Sequence, residues 1–226
     1  MRTFVFIFAR GGSKGLPGKN IKLLGGIPLL AHGIRLAQNL PEIDRVFVST
    51  DNVEIADIAR HFGATVIDRP SSLATDDASE WLAWQHAIAH VRDDLQLSFD
   101  VFLSLPATSP LRDHSDVVNC LQALDAATDV VITVTPSARN PYFNMITKDE
   151  GGMARILVGS AELKRRQDVP PVYDITTVAY VTRPDFVMLS NRLFDGRVRA
   201  VVVPKERAVD IDDEFDFKVA QAFFQP

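Results

Sequence analysis

Apolar residues fall along the chain in two alternating kinds of block. Thr3 to Ala9 is a run of seven residues without a charge, rich in β-branched and aromatic side chains. It reads as a buried strand, and Arg45 to Ser49, Thr65 to Asp68, Asp100 to Leu105 and Asp129 to Val134 read as four more. Between them lie stretches with helical spacing. Pro28 to Leu40 places Leu29, Leu30, Ile34, Leu36 and Ala37 on or near one face and ends at Pro41. Val53 to Phe62 ends at Gly63, Glu80 to Val91 carries Trp81 and Trp84, and Val117 to Ala127 follows. Strands and helices alternate over the first ~135 residues, which predicts an α/β fold with a doubly wound, mostly parallel sheet.

The alternation then breaks. Ser137 to Arg166 holds Pro141, Gly151-Gly152 and the cations Lys164, Arg165 and Arg166, a pattern that predicts an excursion with a hairpin and a dimer arm. Val172 to Thr182 and Arg197 to Val203 return as strands, and Glu214 to Phe224 as a terminal helix. No repeat or low-complexity linker divides the chain, so one domain is expected over 1–226, with about 137–170 and 184–200 as inserted or dimer-contact segments.

Composition narrows the function classes. The 226 residues carry 24 cations and 29 anions, a net charge of −5, which argues against nucleic-acid or membrane-surface binding. Cys120 is the only cysteine, so a disulfide framework and a multi-cysteine zinc site are excluded, and its expected place is a helix core. No apolar run approaches the ~20 residues that span a bilayer. Arg10 follows the first apolar run at once, where a signal peptide would have a cleavage site, so a cytoplasmic location is expected.

Against that acidic background, Arg10 to Asn20 packs four glycines, one proline and three cations directly after the first strand. Glycines let backbone N–H groups converge, and Arg10, Lys14 and Lys19 surround them with positive charge, a setting suited to a polyphosphate. Two familiar phosphate loops are excluded. A Walker loop ending at Gly18-Lys19 needs Gly at 13 and Ser or Thr at 20, but the chain has Ser13 and Asn20; the spacing Gly12-x-x-Gly15-x-x-Gly18 is not the Rossmann one. The plain alternative is a glycine-rich βα turn with a solvated basic face.

The segments Arg10–Asn20, Ser49–Asp51, Arg69-Pro70 and Ala107–Arg112 all follow strands, so in a doubly wound sheet they share one cleft. Asp51-x-x-Glu54 also has the shape of a helix capping box. Asp210 and Asp212 flank Ile211 in an extended stretch, so both carboxylates can face one cation and suit Mg²⁺ with phosphate oxygens; the alternative is helix capping, through Asp213-x-x-Asp216 and, taken alone, Asp212 and Asp213. Arg165-Arg166-Gln167 reads locally as a solvated loop, Tyr180 as core, and His86 with His90 as a helix face lacking a zincin pattern.

Ala9-Arg-Gly-Gly-Ser-Lys-Gly-Leu-Pro-Gly-Lys-Asn-Ile21 resembles the signature loop of the acylneuraminate cytidylyltransferases. The resemblance continues in order through Val48–Asp51, Arg69-Pro70, Leu73–Ser79, Ala107–Arg112, Arg166-Gln167 and Asp210–Asp213. It implies that CTP and a nine-carbon 2-keto sugar acid give a CMP-sugar and pyrophosphate. It also implies Arg10, Gly11, Ser13, Lys19, Asn20, Arg69 and Ser79 at the nucleotide, Arg166, Gln167 and Tyr180 at the sugar, and Mg²⁺ on Asp210 and Asp212. Lys19, Arg10 and Asp212 would carry the chemistry, in a homodimer. Many members have Gln-Pro-Thr-Ser-Pro where this chain has Pro106-Ala-Thr-Ser-Pro110, and Asn-Gly-Ala-Ile-Tyr where it has Thr176-Thr-Val-Ala-Tyr180. That altered sugar wall suggests a different nonulosonic acid, such as legionaminate. The rival readings are a cytidylyltransferase for another sugar acid such as Kdo, and a nucleotide-binding module without catalysis.

Overall fold

The computed structural model describes residues 1–159 and 169–225. Strand β1 (Thr3–Phe8) is followed by a short ribbon, β2 (Leu23–Leu24) and β3 (Ile27–Pro28), then α1 (Leu29–Gln38). Next come β4 (Arg45–Thr50), α2 (Val53–His61), β5 (Thr65–Asp68), α3 (Glu80–Ala89), β6 (Val101–Ser104), α4 (His114–Ala123) and β7 (Val130–Pro136). The excursion holds a hairpin of β8 (Ile146–Lys148) and β9 (Ala154–Ile156). The chain returns through β10 (Tyr173–Thr182), α5 (Pro184–Leu189), β11 (Val198–Val202) and α6 (Glu214–Phe223).

Seven strands form one sheet in the order β11-β7-β10-β6-β1-β4-β5. Strands β1, β4, β5 and β6 pair in parallel, as do β7 and β11, while β10 runs antiparallel between β6 and β7. The uncharged run of β1 follows from burial on both faces. Val5 and Ile7 pack with Leu30, Ile34, Val48 and Val117 on one side, and Phe4 and Phe6 with Phe47, Trp81, Trp84 and Phe102 on the other. Phe6 lies 5.3 Å from Phe47 and 4.7 Å from Phe102 between ring centroids, an aromatic layer that α3 covers.

The order of connections places the cleft. From β1 the chain moves outward through β4 to β5, then crosses back to β6 on the other side of β1. The loops after β1 and β6 therefore diverge, and such a switch point opens a crevice at the carboxyl ends of the strands. Strand β10 adds a wall. Its pairing with β7 shifts between Thr176 and Tyr180, and the Thr133 hydroxyl fills the irregularity, accepting from Ala179 N at 3.2 Å and donating to Thr176 O at 3.1 Å.

One helix start and one helix cap differ from the sequence pattern. Helix α4 begins at His114 because Asp113 and Asp116 form a reciprocal capping box ahead of Val117. In α2 the cap is Asn52, whose side chain accepts from Ile55 N at 3.0 Å, and Asp51 is freed for another bond. Cys120 is buried in α4, and burial pushes its thiol up to about 12. Among the described residues, no cluster of three or more His, Cys, Asp or Glu is placed to hold a metal, and His86 and His90 stack with ring centroids 6.5 Å apart.

Candidate active site

The glycine-rich loop after β1 is tied at both ends. Asn20, 8% exposed, donates from Nδ2 to the Arg10 carbonyl at 3.0 Å, and Gly11 N donates to Asp51 Oδ1 at 3.0 Å. Asp51 thus fixes this loop rather than capping α2. Gly18 takes φ +66°, a left-handed turn that favours glycine, and it leads Lys19 back toward the cleft. Arg10 pairs with Asp76 at 2.9 Å, and Lys14 contacts the same carboxylate. Asp76 is held below the usual carboxylate range, first by the Lys14 hydrogen bond and then by the one from Arg10.

Arg69 stands at the end of β5 and is buried. Its Nε donates to Ser49 Oγ at 3.1 Å, its Nη2 donates to Ser49 O at 2.7 Å, and its guanidinium lies 5.5 Å from the Phe8 ring centroid. Desolvation lowers its pKa while Asp51 and Glu80 oppose the shift. Arg10 and Arg69 line one side of a cleft of about 340 Å³; Pro106, Ala107, Thr108, Thr177 and Tyr180 line another, with Asp210 and Asp212 on it as well. The volume suits a small organic ligand.

The two aspartates differ in surroundings. Ile211 between them is fully buried, and its N–H donates to Thr108 O at 2.9 Å, which pins this segment to the loop after β6. The Asp212 carboxylate is 75% exposed and meets Lys19 Nζ at 3.0 Å. Asp210 Oδ1 is buried with no hydrogen-bond partner. An orphaned carboxylate oxygen beside an exposed carboxylate in one cleft is a donor set that suits a hard divalent cation. Asp213 and Asp216 form the cap of α6, as their spacing suggested.

Below the cleft, Arg112 is buried and donates to Pro106 O and, at 3.4 Å, to Thr177 O. Desolvation lowers its pKa to about 9, against the pull of Asp116 and Asp210, so it remains a cation at neutral pH. Ser109 and Thr177 share a hydroxyl hydrogen bond of 2.6 Å that joins the same two walls. Tyr180 is half-buried, 5.8 Å from Trp84 between ring centroids, and burial pushes its phenol up to about 12.

Of the residues singled out from sequence, Arg10, Arg69, Tyr180, Asp210 and Asp212 line the cleft. Gly11, Lys19 and Asn20 line a small neighbouring cavity of about 90 Å³ behind the loop, which Arg10 shares. Ser79 is the N-cap of α3 and lines a side cavity of about 300 Å³ with Trp81, Trp84, Tyr180 and Phe194. Ser13 is half-buried in the loop. Arg166 and Gln167 lie outside the described residues. Sequence reasoning missed Glu80, which lines both the main and side cavities. Its carboxylate accepts from Trp84 Nε1 at 3.2 Å. It is exposed along the cleft yet crowded by protein elsewhere, and desolvation raises its pKa.

A cleft of about 340 Å³ at a switch point, lined by Arg10 and Arg69 as well as by Asp210 and Asp212, can take a polyphosphate with a metal. The family model described as "Cytidylyltransferase" matches residues 4–193. The chain belongs to the cytidylyltransferase family. This cytidylyltransferase is 30% identical, over 95% of its own length and 92% of the relative's, to the CMP-N,N'-diacetyllegionaminic acid synthase of Campylobacter jejuni. It is 29% identical to the N-acylneuraminate cytidylyltransferase of Streptococcus agalactiae over 99% of this chain and 54% of that protein. In fold it resembles a CMP:2-keto-3-deoxy-manno-octonic acid synthetase complexed with CTP, with a TM-score of 0.70, 18% identity and 98% of each chain covered. It is a CTP-dependent nucleotidyltransferase.

Proposed function

We infer that this cytidylyltransferase transfers CMP from CTP to a nonulosonic acid of the legionaminate kind, with Mg²⁺. One observation carries the reading most: Arg10 of the cationic loop lines one cleft with Asp210 and Asp212, and Lys19 ties the same loop to Asp212 at 3.0 Å. A pure binding module has no need of both halves. For the sugar, the support is the Pro106-Ala107 wall beside Thr177 and the similarity to a legionaminic acid synthase.

The sugar's anomeric hydroxyl oxygen attacks the α-phosphorus, the bond from that phosphorus to the β-phosphate bridge breaks, and pyrophosphate leaves with the electron pair. The hydroxyl proton passes to a base, a role open to an aspartate of the pair. Charge grows on the transferred and leaving oxygens, so preorganised cations supply most of the catalysis. Arg10, Ser13 and Lys19 hold the triphosphate, with N–H donors from Gly11. Asn20, Arg69 and Ser79 orient the nucleotide. Tyr180 meets the sugar with Arg166 and Gln167, where a guanidinium pairs with the sugar carboxylate. Asp210 and Asp212 would hold Mg²⁺, which neutralises phosphate charge when bound.

The working unit in this reading is a cytoplasmic homodimer. Phe143, Met145, Ile146, Met153, Ile156 and Leu157 around the β8–β9 hairpin are exposed, an apolar arm that a second copy would cover. The test is pyrophosphate release from CTP with and without EDTA. Release that needs both a sugar acid and Mg²⁺ supports the reading. CTP binding with no pyrophosphate under any of these conditions contradicts it.

A further inference from the structure

The loop glycines serve different ends. Gly18 is needed for its left-handed backbone, and Gly12 has open space where a Cβ would stand. Gly15 has no positive φ, so its backbone suits any residue. What it lacks is room. A Cβ on Gly15 would collide with the Asp212 carbonyl oxygen and come within 3.4 Å of its carbonyl carbon.

That neighbour is backbone, and it is held in place. Ile211 N donates to Thr108 O at 2.9 Å, Asp212 N to Asp216 Oδ2 at 3.0 Å, and Asp213 N to the same oxygen at 3.1 Å. Ile211 is fully buried in a cluster with Leu16, Leu24, Leu29 and Phe217. The aspartate segment therefore cannot retreat from a methyl group, and the loop must lift instead. Leu16, next to Gly15, is the loop's own plug in that cluster, and Lys19 reaches Asp212 Oδ1 at 3.0 Å. Lifting the loop at Gly15 strains the plug and the ion pair together.

We propose that Gly15 is a positioning residue: its missing side chain lets the glycine-rich loop seat directly on the Asp212 backbone, and this contact sets the distance between the loop cations and the aspartate pair. The proposal rests on the nucleotidyltransferase reading above. A displacement of about one ångström between reacting parts costs about 10²-fold in rate. Gly15→Ala should therefore lower kcat/KM for CTP by roughly that factor.

The deciding readout is binding. Mn²⁺ is titrated into each protein with CTP and no sugar acid, and bound Mn²⁺ is followed by electron paramagnetic resonance. Gly15→Ala should weaken Mn²⁺ binding to the CTP complex. Equal Mn²⁺ affinity in Gly15→Ala and the parent overturns the proposal. If Gly15→Ala does not fold, Leu16→Ala unseats the loop with Gly15 intact. It should weaken Mn²⁺ binding to the CTP complex, and unchanged binding overturns the proposal equally. A parent protein that binds no CTP would instead sink the nucleotidyltransferase reading.

Discussion

Replacing Lys19 by alanine separates function from folding. The Lys19 side chain is 12% exposed, but its partner side chain on Asp212 is 75% exposed, and that carboxylate can be hydrated when the cation is gone. An ion pair so open to water contributes at most about 1 kcal/mol to stability. Tm should therefore fall by only about 2–4 °C for a chain of this size. The effect on turnover is of another order. In the reaction proposed above, Lys19 would face growing charge on the phosphoryl oxygens, and removing one preorganised donor of that kind costs about 10²–10³ in kcat. The assay is initial velocity of pyrophosphate release at saturating CTP and sugar acid, with a thermal melt on the same protein. A kcat within about threefold of the parent would refute the role given to Lys19, since the donor loss just cited cannot be that small. A Tm loss above about 10 °C with a proportionate loss of activity would show that the pair holds the fold instead.

Two further outcomes test the framework around the site. Arg207 grips Asp116 with two bonds of 2.9 Å, and Asp116, 2% exposed, also accepts from Asp113 N. Arg207 is partly exposed and can turn to water, so Asp116→Ala should cost about 3 kcal/mol, the helix cap included. Chemical denaturation measures it, and a loss below about 1 kcal/mol would mean the pair does not anchor the segment leading to Asp210. Cys120, with its pKa pushed up to about 12, should resist Ellman's reagent at pH 8 in the native protein and react fully in guanidinium. The sign is fixed by burial: a raised thiol pKa keeps the neutral form, and thiolate appears natively only well above pH 9. Rapid native reaction at pH 8 would place Cys120 outside the core.

What the chain discloses before folding, and what it hides, has physical causes. The run Thr3 to Ala9 is legible because β1 is covered on both faces, so no polar residue interrupts it. The cleft is legible because doubly wound topology sends the loops that follow the parallel strands to one side. The cap of α2 is not legible, since Asp51 and Asn52 are equally good caps, and only the Gly11 N–H decides between them. The start of α4 is hidden when apolar spacing is followed, because the Asp113–Asp116 box precedes the first apolar residue. Glu80 and Asp76 carry no signal of their partners in the neighbouring sequence pattern, although Asp76 falls within the Leu73–Ser79 stretch. The Trp84 bond to Glu80 is a local i,i+4 contact within α3, but Arg69 near Glu80, and Arg10 and Lys14 at Asp76, come from distant segments that only the fold brings together.

The central claim is that this cleft joins CMP to a nonulosonic acid. Incubation with CTP, Mg²⁺ and a panel of N-acetylneuraminate, N,N'-diacetyllegionaminate and Kdo, read by mass spectrometry, tests it most directly. The account predicts a CMP-sugar ion with the nine-carbon acids, strongest with the legionaminate, and an equivalent of pyrophosphate. Product with Kdo alone, or no CMP-sugar with any acid, would contradict it.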